Sequence, residues 1–63
     1  MMTIEKLVDM KVINNTTEVY VRNMEFGLIA KGNWFQDNVL EHIKREIDTY
    51  TWQDDNKVYI DLK

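Results

Sequence analysis

The chain has 63 residues, and a domain of this size buries only about 60% of the surface that its unfolded chain exposes, so folding depends on a compact core or on a partner chain. It contains no cysteine and one histidine, which excludes disulfides, thiolate metal sites and histidine-rich metal sites. Eleven acidic residues against eight basic ones give a net charge of −3, which argues against a protein that binds nucleic acid through a basic face.

We expect one domain over residues 1–63, located in the cytoplasm and without membrane contact. No apolar run approaches the roughly 18 residues that span a bilayer. The N-terminal segment also lacks a basic region followed by an apolar region, which is the pattern of a secretion signal.

The first predicted element is a short helix that begins after Thr3, whose hydroxyl can cap it. Ile4, Leu7 and Val8 recur at the i, i+3, i+4 spacing and form its apolar side. Because one or two turns are not stable alone in water, we expect this helix to pack on a sheet. A turn follows at residues 14–16, where asparagine side chains favour local hydrogen bonds to the backbone.

Two strands follow, joined by a short connection at residues 23–25. In residues 17–22, Val19 and Val21 alternate with polar and aromatic residues, which indicates a half-buried strand. Residues 26–31 form the second predicted strand of this hairpin.

The main helix of the fold is predicted over residues 34–48. Gly32 ends the preceding strand, and Asn33 or Asp37 provides the N-cap. The apolar stripe of this helix, at helical spacing, consists of Val39, Leu40, Ile43 and Ile47.

A second hairpin closes the chain, with strands at residues 49–53 and 57–63 and a turn at residues 54–56. The element order ββαββ, after a short N-terminal helix, predicts an α+β fold: a mostly antiparallel four-stranded sheet with the main helix packed on one face. This layout is similar to that of small β-grasp folds. We expect the core to consist of fifteen residues: Leu7, Val8, Val19, Val21, Leu28, Ala30, Trp34, Val39, Leu40, Ile43, Ile47, Trp52, Val58, Ile60 and Leu62.

No group of residues predicts catalysis, a metal site or a cofactor site. His42 and Glu46 lie one helical turn apart, as a general base and its orienting acid would, but no serine or cysteine shares their face as a nucleophile. Asp54 and Asp55 are adjacent in a tight turn and fall short of the ligand count of a calcium loop. Gly32 precedes a helix without the second glycine of a phosphate-binding loop. We therefore expect a non-enzymatic protein without metal or cofactor.

The aromatic residues form the best candidate interaction surface, and the contact candidates are Tyr20, Tyr59 and Trp34. Tyr20 and Tyr59 share the outward face of the sheet if the strands align, whereas Trp34 lies at the mouth of the helix and is also a candidate for the core. Exposed tyrosines in a sheet are consistent with simple cross-strand pairing, with stacking of single-stranded bases, or with a protein–protein interface. We favour the interface.

Two segments, GNWFQDN at residues 32–38 and DNKVYIDLK at residues 55–63, resemble segments of short uncharacterised proteins of Gram-positive bacteria and their mobile elements. The similarity extends over most of residues 16–63. It implies a cytoplasmic accessory protein and assigns no role to any residue.

The first hypothesis is a small bacterial or phage accessory protein that acts as a protein–protein interaction module. It would dock an open sheet face or a sheet edge onto a protein partner or onto a second copy of itself as a homodimer. The first alternative is an acidic DNA mimic that inhibits a nucleic-acid enzyme through Glu41, Asp48, Asp54, Asp55 and Asp61. The second alternative is single-stranded nucleic-acid binding through the tyrosine face, which the acidic balance disfavours.

Overall fold

The computed structural model describes residues 1–63 and contains two short helices and a four-stranded sheet. In chain order the elements are α1 (Ile4–Asp9), β1 (Glu18–Arg22), β2 (Leu28–Gly32), α2 (Asp37–Leu40), β3 (Ile47–Trp52) and β4 (Lys57–Leu62). The predicted α+β class is confirmed. Neither helix is long or apolar enough to cross a membrane.

The sheet is mixed and has the strand order β2-β1-β4-β3. β1 pairs antiparallel with β2, and β3 pairs antiparallel with β4, as the two predicted hairpins require. The central strands β1 and β4 are parallel, so the prediction of a mostly antiparallel sheet is wrong. Their register places Tyr20 directly beside Tyr59.

The connection between the two hairpins accounts for the mixed sheet. Since β2 and β3 are each antiparallel to a central strand, they run in the same direction at opposite edges of the sheet. Residues 33–46 must therefore return along the length of the sheet, as the crossover between parallel strands does. Turn residues specify the pairing within each hairpin, but the way in which two hairpins join depends on tertiary packing.

The prediction of a main helix over residues 34–48 is wrong, because only Asp37–Leu40 is α-helical. Beyond Leu40 the backbone continues in tighter turns, in which the N–H of Ile43 donates to the carbonyl of Leu40 at 3.1 Å.

The N-terminal segment takes the hydrogen bonds that would continue this helix. In an α-helix the N–H of Ile47 would donate to the carbonyl of Ile43. Instead, the N–H of Glu5 donates to the Ile43 carbonyl at 3.1 Å, and the N–H of Ile47 donates to the carbonyl of Met2 at 2.7 Å. Ile47 thereby becomes the first residue of β3 and is still buried. The apolar periodicity of the sequence therefore does not reveal that the N-terminal segment competes with the helix for these hydrogen bonds.

The core lies between one face of the sheet and the two helices. The predicted N-terminal helix is confirmed: the N–H of Lys6 donates to Thr3 Oγ1 at 3.2 Å, and Ile4 and Leu7 are fully buried. The buried apolar residues are Ile4, Leu7, Ile13, Val19, Val21, Ala30, Val39, Ile47, Val58, Ile60 and Leu62.

Three residues predicted for the core are exposed, and three others, Val8, Trp34 and Ile43, are only partly buried against it. Leu28 is 53% exposed, Leu40 is 36% exposed and Trp52 is 39% exposed. Leu28 and Trp52 lie on the two edge strands, and Leu40 ends a helix that is too short to reach across the sheet. With α2 reduced to four residues, the β3 side of the sheet is left largely uncovered.

The segment before α2 turns the chain. The N-cap of α2 is Gln36, not Asn33 or Asp37 as predicted. The side chain of Gln36 folds back, and its Oε1 accepts from the N–H of Asn33 at 2.6 Å. Gly32 has a φ of 134°, and a Cβ at this position would collide with Gln36 Oε1, so the turn requires glycine.

Candidate interaction surface

Tyr20 and Tyr59 meet on the face of the sheet opposite the core. Their ring centroids are 5.0 Å apart, and the ring planes are tilted by 36°. Along each strand their neighbours are buried residues that point into the core, so by strand alternation the two rings point away from it. Both tyrosines are half-buried, because the surrounding polar side chains cover part of each ring.

The hydroxyl of Tyr20 is engaged within the protein. It donates to the carboxylate of Glu18 on the same strand. This hydrogen bond, with smaller contributions from desolvation and from neighbouring charges, raises the pKa of Tyr20 to about 12. A partner that approaches this face therefore meets a hydroxyl that already has its acceptor.

An ion pair occupies the other end of the same face. Arg22 Nε donates to Asp61 Oδ1 at 2.6 Å, and a second guanidinium nitrogen donates to Oδ2 at 3.0 Å. Asp61 also accepts from Thr49 Oγ1 at 3.3 Å and is only 7% exposed. The guanidinium lies 4.5 Å from the ring centroid of Tyr59 and 5.2 Å from that of Phe26. The hydrogen bond to Asp61 raises the pKa of Arg22. The polar groups of this face, which lies opposite the core and which we call the open face, are thus bound chiefly to one another.

Trp34 lies apart from the two tyrosines. Its Nε1 donates to Asn15 Oδ1 at 2.9 Å, and its ring packs against the core and meets Phe35 edge-on at 5.6 Å. Because the core lies on the side of the sheet away from Tyr20 and Tyr59, the three predicted contact residues do not form one surface. Trp34 instead fixes the connection before α2 to the turn before β1.

The β2 edge of the sheet is protected. α2 packs against β2, and Asn38 Nδ2 donates to the carbonyl of Lys31 at 2.9 Å. A register shift near the other end of the strand leaves Ile29 without a partner on β1. Side-chain capping, a charged lysine and an irregular register all hinder the addition of a further strand.

The β3 edge has a register shift and a charge at Asp48, but it lacks protection of this kind from Thr49 to Trp52. The N–H of Gln53 donates to the carbonyl of Lys57 at 2.8 Å, and Thr51 pairs with Tyr59 two residues further along the ladder. By the alternation of antiparallel ladders, the backbone groups of Thr51 point toward β4, and those of Tyr50 and Trp52 point outward. The side chains of Tyr50 and Trp52 are each 39% exposed.

Strand addition already begins at the first residue of β3. Thr3 forms an antiparallel bridge with Glu46, and the N–H of Ile47 donates to the carbonyl of Met2 at 2.7 Å. Beyond this short pairing, the outward backbone groups of Tyr50 and Trp52 form what we call the free edge of β3.

The charges at the two ends of the free edge differ. Residues 49–53 carry no charge, and Asp54 and Asp55 follow directly in the exposed β3–β4 turn. At the other end Lys63 Nζ lies 2.9 Å from Glu46 Oε2, and the hydrogen bond from Lys63 lowers the pKa of that carboxylate. The end near Trp52 therefore has two carboxylates without an ion pair, whereas near Ile47 the ammonium group of Lys63 is close to both Glu46 and Asp48.

The sequence-predicted chemical groups are dispersed in the structure. His42 Nδ1 lies 3.2 Å from a guanidinium nitrogen of Arg45, and Glu46 is bound to Lys63, so His42 and Glu46 do not form the acid–base pair considered above. No group of three histidine, aspartate or glutamate residues is arranged to hold a metal ion. Among the carboxylates of the DNA-mimic hypothesis, Asp61 is buried and paired with Arg22.

Tyr50 and Trp52 were missed as surface residues because the pattern Thr-Tyr-Thr-Trp was interpreted as a strand with Trp52 in the core. One signal was present: residues 49–53 contain neither a charge nor a proline, the residues that commonly protect an edge. That signal has meaning only once the strand order places β3 at an edge.

No protein family matches the chain, and neither the curated proteins nor the solved structures include a significant match to it.

Proposed function

We propose that this protein is a small, non-enzymatic interaction module of a bacterial or phage cell interior, and that it binds an extended polypeptide segment by strand addition along the free edge of β3. The segment belongs to a partner protein or to a second copy of the chain. The observation that carries the proposal is the outward row of backbone groups at Tyr50 and Trp52, bordered by two exposed aromatic side chains.

Strand addition suits this edge for two reasons. An added strand takes up backbone donors and acceptors that only water satisfies in the free protein, and pockets for alternate side chains supply specificity. Tyr50 and Trp52 lie on the same side of β3, two residues apart, so both rings can contact alternate side chains of the incoming strand. Aromatic residues in this position are typical of interface centres.

The open face with Tyr20 and Tyr59 is a less suitable contact surface. Glu18 takes the hydroxyl of Tyr20, and Asp61 takes the guanidinium of Arg22. A bound nucleic acid would have to break these contacts or bind beside them, and the net charge of −3 opposes its approach. No observation favours the DNA-mimic alternative, and one of its five carboxylates, that of Asp61, is buried and paired with Arg22.

An NMR titration with an end-blocked peptide of alternating threonine and valine tests the proposal. At peptide concentrations up to about 1 mM we expect the amide signals of Tyr50 and Trp52 to shift. A peptide N-methylated at alternate residues lacks the backbone donors and should cause no shift. If neither the unmodified threonine–valine peptide nor a second copy of the chain perturbs these two amides, the proposal is wrong.

Variants at side chains of similar exposure show which edge of the sheet binds the peptide. Tyr50→Thr with Trp52→Thr keeps strand propensity, removes both rings and should weaken peptide binding by about threefold or more. Ile29→Thr is the control, since Ile29 is 40% exposed on the opposite edge strand and Trp52 is 39% exposed. Loss of binding only in the Tyr20→Ala, Tyr59→Ala variant would assign the surface to the open face instead.

A further inference from the structure

The free edge of β3 is chemically asymmetric, and this asymmetry bears on the sequence of the segment that binds there. Uncharged residues line the middle of the edge, and the two carboxylates of Asp54 and Asp55 lie just beyond Trp52. The nearest basic residue, Lys57, is aligned with Glu18 in the β1–β4 register, and no ion pair joins it to either carboxylate.

The direction of the incoming strand follows from the short pairing already present. Met2 and Thr3 pair antiparallel with Ile47 and Glu46 on the outer side of β3. A strand that continues this row along Tyr50 and Trp52 also runs antiparallel to β3. Its N-terminal residues then lie beside the acidic turn, and its C-terminal residues lie toward Ile47.

We propose that the free edge of β3 binds an extended polypeptide segment that runs antiparallel to β3 and carries lysine or arginine at its N-terminal end, opposite Asp54 and Asp55. This inference rests on the proposed function, and it adds the direction and the charge of the bound segment. Charge complementarity at the turn carries it, because neither Asp54 nor Asp55 takes part in an ion pair within the protein.

A second copy of the chain fits this edge less well. In the antiparallel register that places Tyr50 opposite Trp52 of the other copy, Asp48 of each copy is opposite Asp54 of the other. Like charges directly opposite each other destabilise a strand pair. In this register the edge favours a basic segment over a copy of itself.

Three end-blocked peptides of about seven residues test the proposal by NMR titration of the Tyr50 and Trp52 amides. The first is Lys-Lys-Thr-Val-Thr-Val-Thr, the second has the two lysines at the C-terminal end, and the third has two glutamates at the N-terminal end. At low ionic strength we expect the first peptide to bind about fivefold more tightly than the second, and the third to bind most weakly. Added salt should reduce the difference.

Two variants assign the preference to the turn. Asp54→Asn with Asp55→Asn should abolish the preference for the first peptide and leave the affinity for the uncharged threonine–valine peptide unchanged. Asparagine at position 54 keeps the oxygen that accepts from the N–H of Asn56 at 2.8 Å, so the turn is retained. Glu25→Gln removes one exposed carboxylate from the β1–β2 connection and is the control that should keep the preference.

The outcomes separate this inference from the proposed function. Equal binding of all three peptides overturns the charge preference and leaves strand addition standing. Tighter binding of the second peptide overturns the direction. If no peptide shifts the Tyr50 and Trp52 amides, both proposals fail. A dimer in sedimentation that pairs through β3 and resists the first peptide overturns the assignment of the edge to a basic segment.

Discussion

The two edge strands of this sheet differ in how far their outward backbone groups are covered, although each contains a register shift and a charged residue. β2 is covered by α2, capped at the Lys31 carbonyl by Asn38 and interrupted by a register shift. β3 has a paired first residue and a register shift at the charged Asp48, and then two outward-facing residues with exposed, uncharged aromatic side chains. A sheet protected at one edge only presents a directional surface, and in so small a protein that surface is a large part of what a partner can contact.

Proline substitutions on β3 should have the largest effect, and they test which backbone groups face outward. Thr51→Pro removes an N–H that points toward β4 and should lower the free energy of unfolding by about 3 kcal/mol. Tyr50→Pro removes an outward N–H and should cost less than about 1 kcal/mol, because proline is tolerated at such edge positions. Urea denaturation of both variants measures the difference, and a larger loss for Tyr50→Pro would reverse the assigned edge.

Removing the cap on β2 should have a smaller effect and make the two edges more alike. Asn38→Ala deletes the hydrogen bond to the Lys31 carbonyl and should lower the free energy of unfolding by about 0.5 to 1 kcal/mol. With that carbonyl free, we also expect a strand peptide to perturb the amides around Lys31. Asn56→Ala, in the β3–β4 turn, is a control that leaves the β2 edge unchanged. If β2 binds no peptide in the Asn38→Ala variant, the cap is not what protects it.

The smallest effect concerns the open face between the two edges. Because the Glu18 hydrogen bond raises the pKa of Tyr20 to about 12 from an ordinary value of 10.0, the folded protein holds this proton more tightly than the unfolded chain does. The associated stability is complete below pH 10.0 and is lost as the pH rises toward about 12. Glu18→Gln should move the tyrosinate absorbance transition of Tyr20 toward lower pH.

A Tyr20→Phe variant identifies the transition, because it removes the phenol that we assign to the high-pH step. If Glu18→Gln leaves the titration unchanged, the Tyr20 hydroxyl is not committed to Glu18 and is available to a partner. In that case the open face becomes a stronger candidate surface relative to the β3 edge.

Local patterns in the sequence predicted the strands, the first helix and the inward faces. Val58, Ile60 and Leu62 are buried as their alternation indicated, and Thr3 caps α1 as expected. These features depend on neighbours within a few residues. The helix after Gly32 failed because Met2 and Glu5, distant in sequence, take the hydrogen bonds that would have extended it.

The candidate surface was only partly predictable for the same reason. Tyr20 and Tyr59 were expected to point outward, but their contact depends on a parallel pairing that no turn residue specifies. Trp34 was a candidate both for the contact surface and for the core, and it packs on the core side. Tyr50 and Trp52 acquire their role from the strand order, which is set by how the two hairpins join.

Amide hydrogen exchange across β3 tests the central claim most directly. In the free protein we predict fast exchange at Tyr50 and Trp52 and slow exchange at Thr51. Of these three amides, only that of Thr51 donates a hydrogen bond to β4. On addition of the lysine-leading peptide, exchange at Tyr50 and Trp52 should slow while Thr51 stays unchanged. Slow exchange at Tyr50 and Trp52 in the free monomer, or no change with the peptide, would contradict a free edge that binds an extended segment.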